Sequence, residues 1–247
     1  MKRTLVIIIV TVLTSCIKDD SVPIVFEDIV ILGNELGDNL YQTDAIFAFA
    51  ANDQTESAHT NIYTVIENGA TDIKFYESDY PNINSQDLFS YKLMEIQPSL
   101  INDAKVKTYR HTFLRDEWII MTYKIDNKIK LSSPVRINNL FYPTNFIEAV
   151  NIDQDLNGSA SFNWDVQSYD ANAFFFEIMK DDNSQVLSLT FTNDSNFQYF
   201  NLANVTLNLS ENTPPSLEQG RNYDITILDI GLDNWINSVY NRTFNAE

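Results

Sequence analysis

Short runs of Val, Ile, Phe, Tyr and Thr recur along most of the chain, separated by clusters of Asn, Asp, Ser and Pro. Ala45-Ile46-Phe47-Ala48-Phe49, Asn61-Ile62-Tyr63-Thr64-Val65, Ile73-Lys74-Phe75-Tyr76 and Trp118-Ile119-Ile120-Met121-Thr122-Tyr123 are of this kind. Apolar runs of this length bounded by turn formers predict β-strands. No long apolar stripe at helical spacing stands out, and Ser85 to Ile96, the best helical candidate, alternates nearly as well as a strand. Many short strands without intervening helices predict an all-β protein built of sandwiches.

The pattern divides in two. Trp118 to Ile125 and Lys128 to Ile137 read as a hairpin around Asp126-Asn127, a pair that tolerates the left-handed backbone of a tight turn. The segment Ser132-Ser133-Pro134-Val135-Arg136-Ile137 then ends a first unit as the last strand of an immunoglobulin-like module does. A first sandwich is expected over residues 23–138, a linker over 139–145 and a second sandwich over 146–247.

The second half carries a sharper signal. Ala160-Ser161-Phe162-Asn163-Trp164-Asp165 places Phe162 and Trp164 on one strand face, and Ala173 to Met179 follows as a strand. Leu217, Gly220 and Tyr223, just before the strand Asp224-Ile225-Thr226-Ile227-Leu228, resemble the tyrosine corner of fibronectin type III domains. The resemblance implies that the Tyr223 phenol bonds back to upstream backbone. Gln219 stands where that family usually has Pro, and a long polar stretch runs from Thr192 to Pro215.

The first residues are of a different kind. Lys2 and Arg3 precede a nine-residue apolar run, Leu5 to Leu13, about half what a membrane-spanning helix needs. Residues 1–15 therefore read as a signal peptide. The run closes in Leu13-Thr14-Ser15-Cys16, which resembles the lipobox of bacterial lipoproteins, and Cys16 is the only Cys of the chain. The resemblance implies acylation of the Cys16 thiol and a lipidated tether over residues 16–22. Ile17-Lys18-Asp19-Asp20 resembles the signal that sends Bacteroidota-type lipoproteins to the outer face of the outer membrane.

Composition narrows the function. With 34 acidic against 16 basic residues the net charge is −18, which repels nucleic-acid backbones and anionic lipid surfaces. A single Cys leaves no disulfide framework or Cys-rich zinc site, and six Gly in 247 residues argue against a phosphate-cradling loop.

Three chemistries are conceivable for these residues. Asp153-Gln154-Asp155-Leu156-Asn157-Gly158 fits the first half of a calcium loop, so Asp153, Asp155 and Asn157 are candidate ligands; Trp164 stands where the loop needs its bidentate Glu. His59 and His111 are the only imidazoles, and neither neighbours a nucleophile motif, so no catalytic residue and no cofactor are expected. Trp235, Asn237 and Tyr240, after the tyrosine-corner strand, form the candidate glycan-binding platform. One ring of Phe174-Phe175-Phe176 must point out of its sheet and could mark a domain or partner contact.

The expectation is a lipid-anchored outer-membrane protein facing the cell exterior, with two tandem sandwiches acting without catalysis as a glycan- or protein-binding accessory. A spacer without a small ligand, or a hydrolase with an interdomain site, are the alternatives.

Overall fold

A computed structural model describes residues 29–37, 39–56, 58–155, 158–166, 172–199, 204–210 and 213–247. Cys16, the tether and Asn157 lie outside the described residues. The protein is all-β, two immunoglobulin-like sandwiches in tandem.

In the first module β1 (Tyr41–Asn52), β2 (Thr60–Val65), β5 (Ser99–Asp103) and β6 (Val106–His111) form one layer in the order β1-β2-β6-β5. β3 (Thr71–Ser78), β4 (Tyr91–Leu93), β7 (Glu117–Ile125) and β8 (Lys128–Ser132) form the other, with β9 (Val135–Ile137) also pairing β7. β1 serves both layers. Its residues 41–46 run parallel to β8, and 47–52 pair antiparallel with β2. The pairing with β8 shifts register between Gln42 and Ile46, a stretch that contains Asp44 at φ 52°. The predicted hairpin is present: Asp126 and Asn127 take φ 48° and 60°, the backbone a two-residue turn between twisted strands requires. Pro134 interrupts the closing strand between β8 and β9, where its missing N–H breaks no ladder.

The second module repeats the scheme. β10 (Asn145–Ile147) runs parallel to β18 (Ile236–Asn245), and β11 (Asn151–Asp155) pairs antiparallel with β12 (Ser159–Asn163). The large sheet has the order β10-β18-β17-β13-β14-β16, adding β13 (Asn172–Asp181), β14 (Val186–Thr192), β16 (Leu207–Asn208) and β17 (Asn222–Gly231). β15 (Asn196–Tyr199) completes the small sheet. Phe162, Trp164, Phe175, Tyr199 and Tyr223 fill the core between them. The tyrosine corner forms as the resemblance implies: the Glu218 amide donates to Tyr223 Oη at 2.9 Å.

Ser85 to Ile96 resolves into a short 3₁₀ turn, Leu88–Ser90, followed by β4. The helix is elsewhere. α1 (Leu32–Leu36) inserts Leu32 and Leu36 against Tyr76, Tyr91 and Ile120 on the outer face of the β3-β7 layer. Glu35 fixes its position, receiving Lys74 Nζ and Tyr76 Oη, each at 2.5 Å. With no side-chain cap and only five residues, α1 owes its existence to this packing rather than to helix propensity.

The modules share a third apolar core. In β13, Phe175 faces its own module while Phe174 and Phe176 point across to Phe49 of β1, at ring separations of 5.8 and 6.0 Å. Phe191, Leu228, Ile230 and Val239 join them. Burying such side chains contributes roughly 1.5–3 kcal/mol each. The turn between β17 and β18 plugs into the first module: the amides of Ala50 and Arg136 donate to the carbonyls of Asn234 and Asp233 at 3.2 and 2.9 Å. The linker is pinned too. Thr144 Oγ1 accepts from the Asn52 amide at 3.1 Å, and the Thr144 amide donates to Asn52 Oδ1 at 3.0 Å.

Candidate functional site

Because the large sheet of the second module packs against β1, β2 and β6, a cleft of about 350 Å³ opens at one margin of the shared core. Its floor is apolar, made by Tyr63, Phe146, Ile178, Leu228 and Val239. Polar groups ring it: Gln54 and Asn102 from the first module, Lys180, Thr226 and Asn241 from the second. A wider depression of about 710 Å³ continues over Glu148, Asp224 and Arg242 and shares Gln54, Phe146, Lys180, Thr226 and Asn241 with it.

The strands set these side chains. Thr226 and Asn241 are cross-strand partners on β17 and β18, and Thr226 Oγ1 donates to Asn241 Oδ1 at 2.8 Å. That bond occupies Asn241 Oδ1. The opposite wall is rigid. Asp53 accepts from the Thr55 amide and hydroxyl at 2.9 and 2.7 Å, the Glu56 amide at 3.0 Å, Asn61 Nδ2 at 2.9 Å and Arg110. Burial alone would push this carboxyl up, but the bonds from Thr55, Asn61 and the backbone hold it well below the usual carboxylate range. Burial raises the Tyr63 phenol, which stays a neutral hydroxyl.

A second concavity, about 630 Å³, lies on the open side of the first sandwich, where β4 of one layer faces β5 of the other. Met94, Ile96, Ile101, Phe113 and Leu114 give it apolar walls, and Glu77 and Glu117 stand in its floor. Glu117 is only 3% exposed, and burial together with Glu77 pushes its carboxyl up to about 7. Glu77 is likewise raised by burial. Arg115 reaches Glu117 at 3.3 Å, and Lys92 approaches Glu77 at 3.8 Å and Asp79 at 2.8 Å. The Glu77 charge and burial together favour a proton kept on Glu117. His59 and His111 also line this groove; burial lowers His111, whose ring sits 4.7 Å from Phe113.

The residues expected to form a platform do not form one. Trp235 is 1% exposed and lies in the core of the first module, its Nε1 donating to the Tyr142 carbonyl at 2.8 Å. Tyr240 is fully buried and donates to the Asp165 carbonyl at 2.9 Å. Asn237 is half-buried, with its amide nitrogen enclosed. A ring covered on both faces cannot stack on a sugar, which corrects the expectation for Trp235 and Tyr240.

Of the calcium-loop candidates, Asp153 and Asp155 are among the described residues. Asp153 and Asp155 are exposed on β11, two residues apart along an extended strand, and Asp155 pairs with Ser159 across the turn. Strand geometry holds their Cα atoms about 6.5 Å apart instead of wrapping them around one point. Among the described residues no group of three His, Cys, Asp or Glu could hold a metal ion.

Sequence reading missed the cleft because Gln54, Asn102, Lys180 and Asn241 converge only through packing between modules. Glu117 carried a usable signal: strand alternation from Ile119, Met121 and Tyr123, all buried in the first core, places it on the inward face.

No protein-family model matches the chain, and no curated protein matches it. Among solved structures it is similar to the FN1–FN3 domains of chicken CNTN1, with a TM-score of 0.31, 8% identity and coverage of 85% of this chain and 68% of that one. A cytokine receptor complex is also similar, with a TM-score of 0.27, 8% identity and coverage of 80% of this chain and 90% of that one. Identity this low and superpositions this loose bear on neither ligand nor activity.

Proposed function

We propose that the chain is a lipid-anchored, non-catalytic recognition protein of the outer cell surface that takes a glycan into the cleft between its two modules. The observation that carries this reading is the cleft itself, an apolar floor ringed by amide, hydroxyl and ammonium groups. A sugar presents apolar CH faces and a perimeter of hydroxyls, and sites of this make-up supply both contacts. The cleft volume of about 350 Å³ is that of a small-molecule site. The anchor rests on Leu13-Thr14-Ser15-Cys16 and on Cys16 being the only thiol. Two or three acyl chains on one residue give durable attachment where a single chain binds marginally.

Two experiments test it. A glycan-array screen of fragment 18–247 should yield ligands whose binding drops about tenfold or more in Asn241→Ala and Lys180→Ala, with thermal stability unchanged. An empty array, or ligands indifferent to both substitutions, would leave the spacer or protein-binding role instead. Cys16→Ala should move the protein out of the membrane fraction; persistence there would refute the lipid anchor.

A further inference from the structure

The first module treats its two facing sheet edges differently. β4 is covered by the chain's own N-terminal segment: the Leu93 amide donates to the Val30 carbonyl at 2.8 Å, and Ile31 bridges to Lys92. β5 ends the hydrogen-bonded order of its layer and nothing described pairs with its outer side. All five β5 residues are exposed, among them Leu100 and Ile101. Free edges are normally blunted by charge, Pro or a cover, because their unpaired amides and carbonyls template another strand. Here the bulge that skips Ile101 and the terminal Asp103 are the only such devices on the strand itself.

The edge borders the groove described above. Ser99 and Ile101 both line it, and Ile96 and Leu114 stand at its rim at 74% and 87% exposure. In the floor Glu117 Oε2 is buried, and among the described residues the Arg115 guanidinium, at 3.3 Å, is its ion-pair partner. Carboxylates exceed cations at this end: Glu77, Asp79, Glu95 and Glu117 face Lys92 and Arg115, while Arg110 is committed to Asp53. A backbone edge, an apolar rim and a floor in which carboxylates outnumber cations call for three complementary features in one ligand.

We infer that β5 and its groove form a strand-addition site for an extended polypeptide of a partner protein, one that carries a Lys or Arg among apolar residues. The added segment pairs its backbone with the free side of β5. Side chains of its inward face then enter the groove alternately, apolar ones against Ile96, Ile101 and Leu114 and the cationic one toward Glu117.

The test uses the purified full-length chain in detergent and an eight-residue capped peptide of alternating Val and Lys, followed by fluorescence anisotropy near physiological salt so that long-range attraction is screened. Binding is expected, and it should weaken about tenfold or more when alternate peptide amides are N-methylated, when Lys is replaced by Glu, and in Ile101→Pro and Leu114→Glu. Glu117→Gln should weaken the Lys peptide while leaving a Val-Thr peptide unaffected. Equal binding of the N-methylated peptide would overturn strand addition, and this arm needs no variant to fold. Equal binding by Ile101→Pro and wild type would overturn the location. A dimer of the chain in sedimentation that Ile101→Pro dissociates would assign the edge to a second copy and overturn the partner.

Discussion

The indole nitrogen of Trp235, which immediately precedes the last strand of the second module, donates to the carbonyl of Tyr142 in the linker while its ring sits in the core of the first module. Ala50 of β1 bridges to Trp235 in parallel register. One residue thus joins three segments that are far apart in the chain and have no local reason to meet. The two modules are a single packed body rather than beads on a tether.

Trp235→Ala is therefore expected to destabilise the whole protein, by about 3–5 kcal/mol, the range for deleting a large buried aromatic. Calorimetry of the wild type should show one cooperative transition and the variant one at lower temperature. Two separated transitions in the wild type would show that the modules melt independently.

Tyr223→Phe tests the corner. The Tyr223 oxygen accepts the Glu218 amide at 2.9 Å within a phenol that is 2% exposed. Removing the acceptor leaves a donor without its partner, at a cost of about 1–3 kcal/mol. Urea midpoints of the two proteins measure it, and equal midpoints would mean the bond contributes nothing.

Much of the fold was legible because its determinants are local. Asp126-Asn127 sets a turn by its own backbone preference, and Trp164 and Phe162 announce an inward strand face by alternation. Tyr223 is recognisable by its spacing from Gly220. The elements that the pattern left open depend on distant residues. α1 is a helix only because Glu35 meets Lys74 and Tyr76, and Ser85 to Ile96 ends in a short strand because Tyr76, Glu77 and Ser78 pair with it. Trp235 looked like a platform because sequence shows a Trp in a polar turn but not the neighbouring module that covers it. The inter-module cleft was invisible for the same reason, its rim coming from residues as far apart as Gln54 and Asn241.

Glu177 makes stability depend on pH in the alkaline direction. It sits wholly buried on the core side of β13, and burial pushes its carboxyl up to about 8 from an ordinary 4.5. Thr192 Oγ1 lies 2.8 Å from Glu177 Oε1 and 2.9 Å from the Asp194 carbonyl, and has one hydrogen to give. A protonated Glu177 donating to Thr192, which donates onward to Asp194, satisfies the chain. Between pH 4.5 and about 8 the unfolded protein releases a proton that the folded protein keeps, so this group's contribution falls as pH rises and levels off above 8. Glu177→Gln should remove that slope and be the more stable protein at pH 8, by on the order of a few kcal/mol. Parallel pH profiles of the two proteins would contradict a retained proton.

Asp53 acts in the opposite direction. Its carboxylate, 6% exposed, gathers Thr55, Glu56, Asn61 and Arg110 at the wall of the inter-module cleft, and these donors favour the charged form. A folded value depressed below the ordinary 3.8 means that the stabilisation is complete above pH 3.8 and disappears as pH falls through the lower folded value. Asp53→Asn keeps the shape but turns one acceptor oxygen into a donor facing Arg110, so at pH 7 it should cost about 1.5–3 kcal/mol, the worth of a charge-assisted bond. It should also flatten the loss of stability between pH 4 and pH 2 that the wild type shows. Because the same carboxylate orders the loop carrying Gln54, the variant is further expected to weaken any ligand taken by the cleft. A variant that bound such a ligand as the wild type does would show that the loop holds its place without that charge.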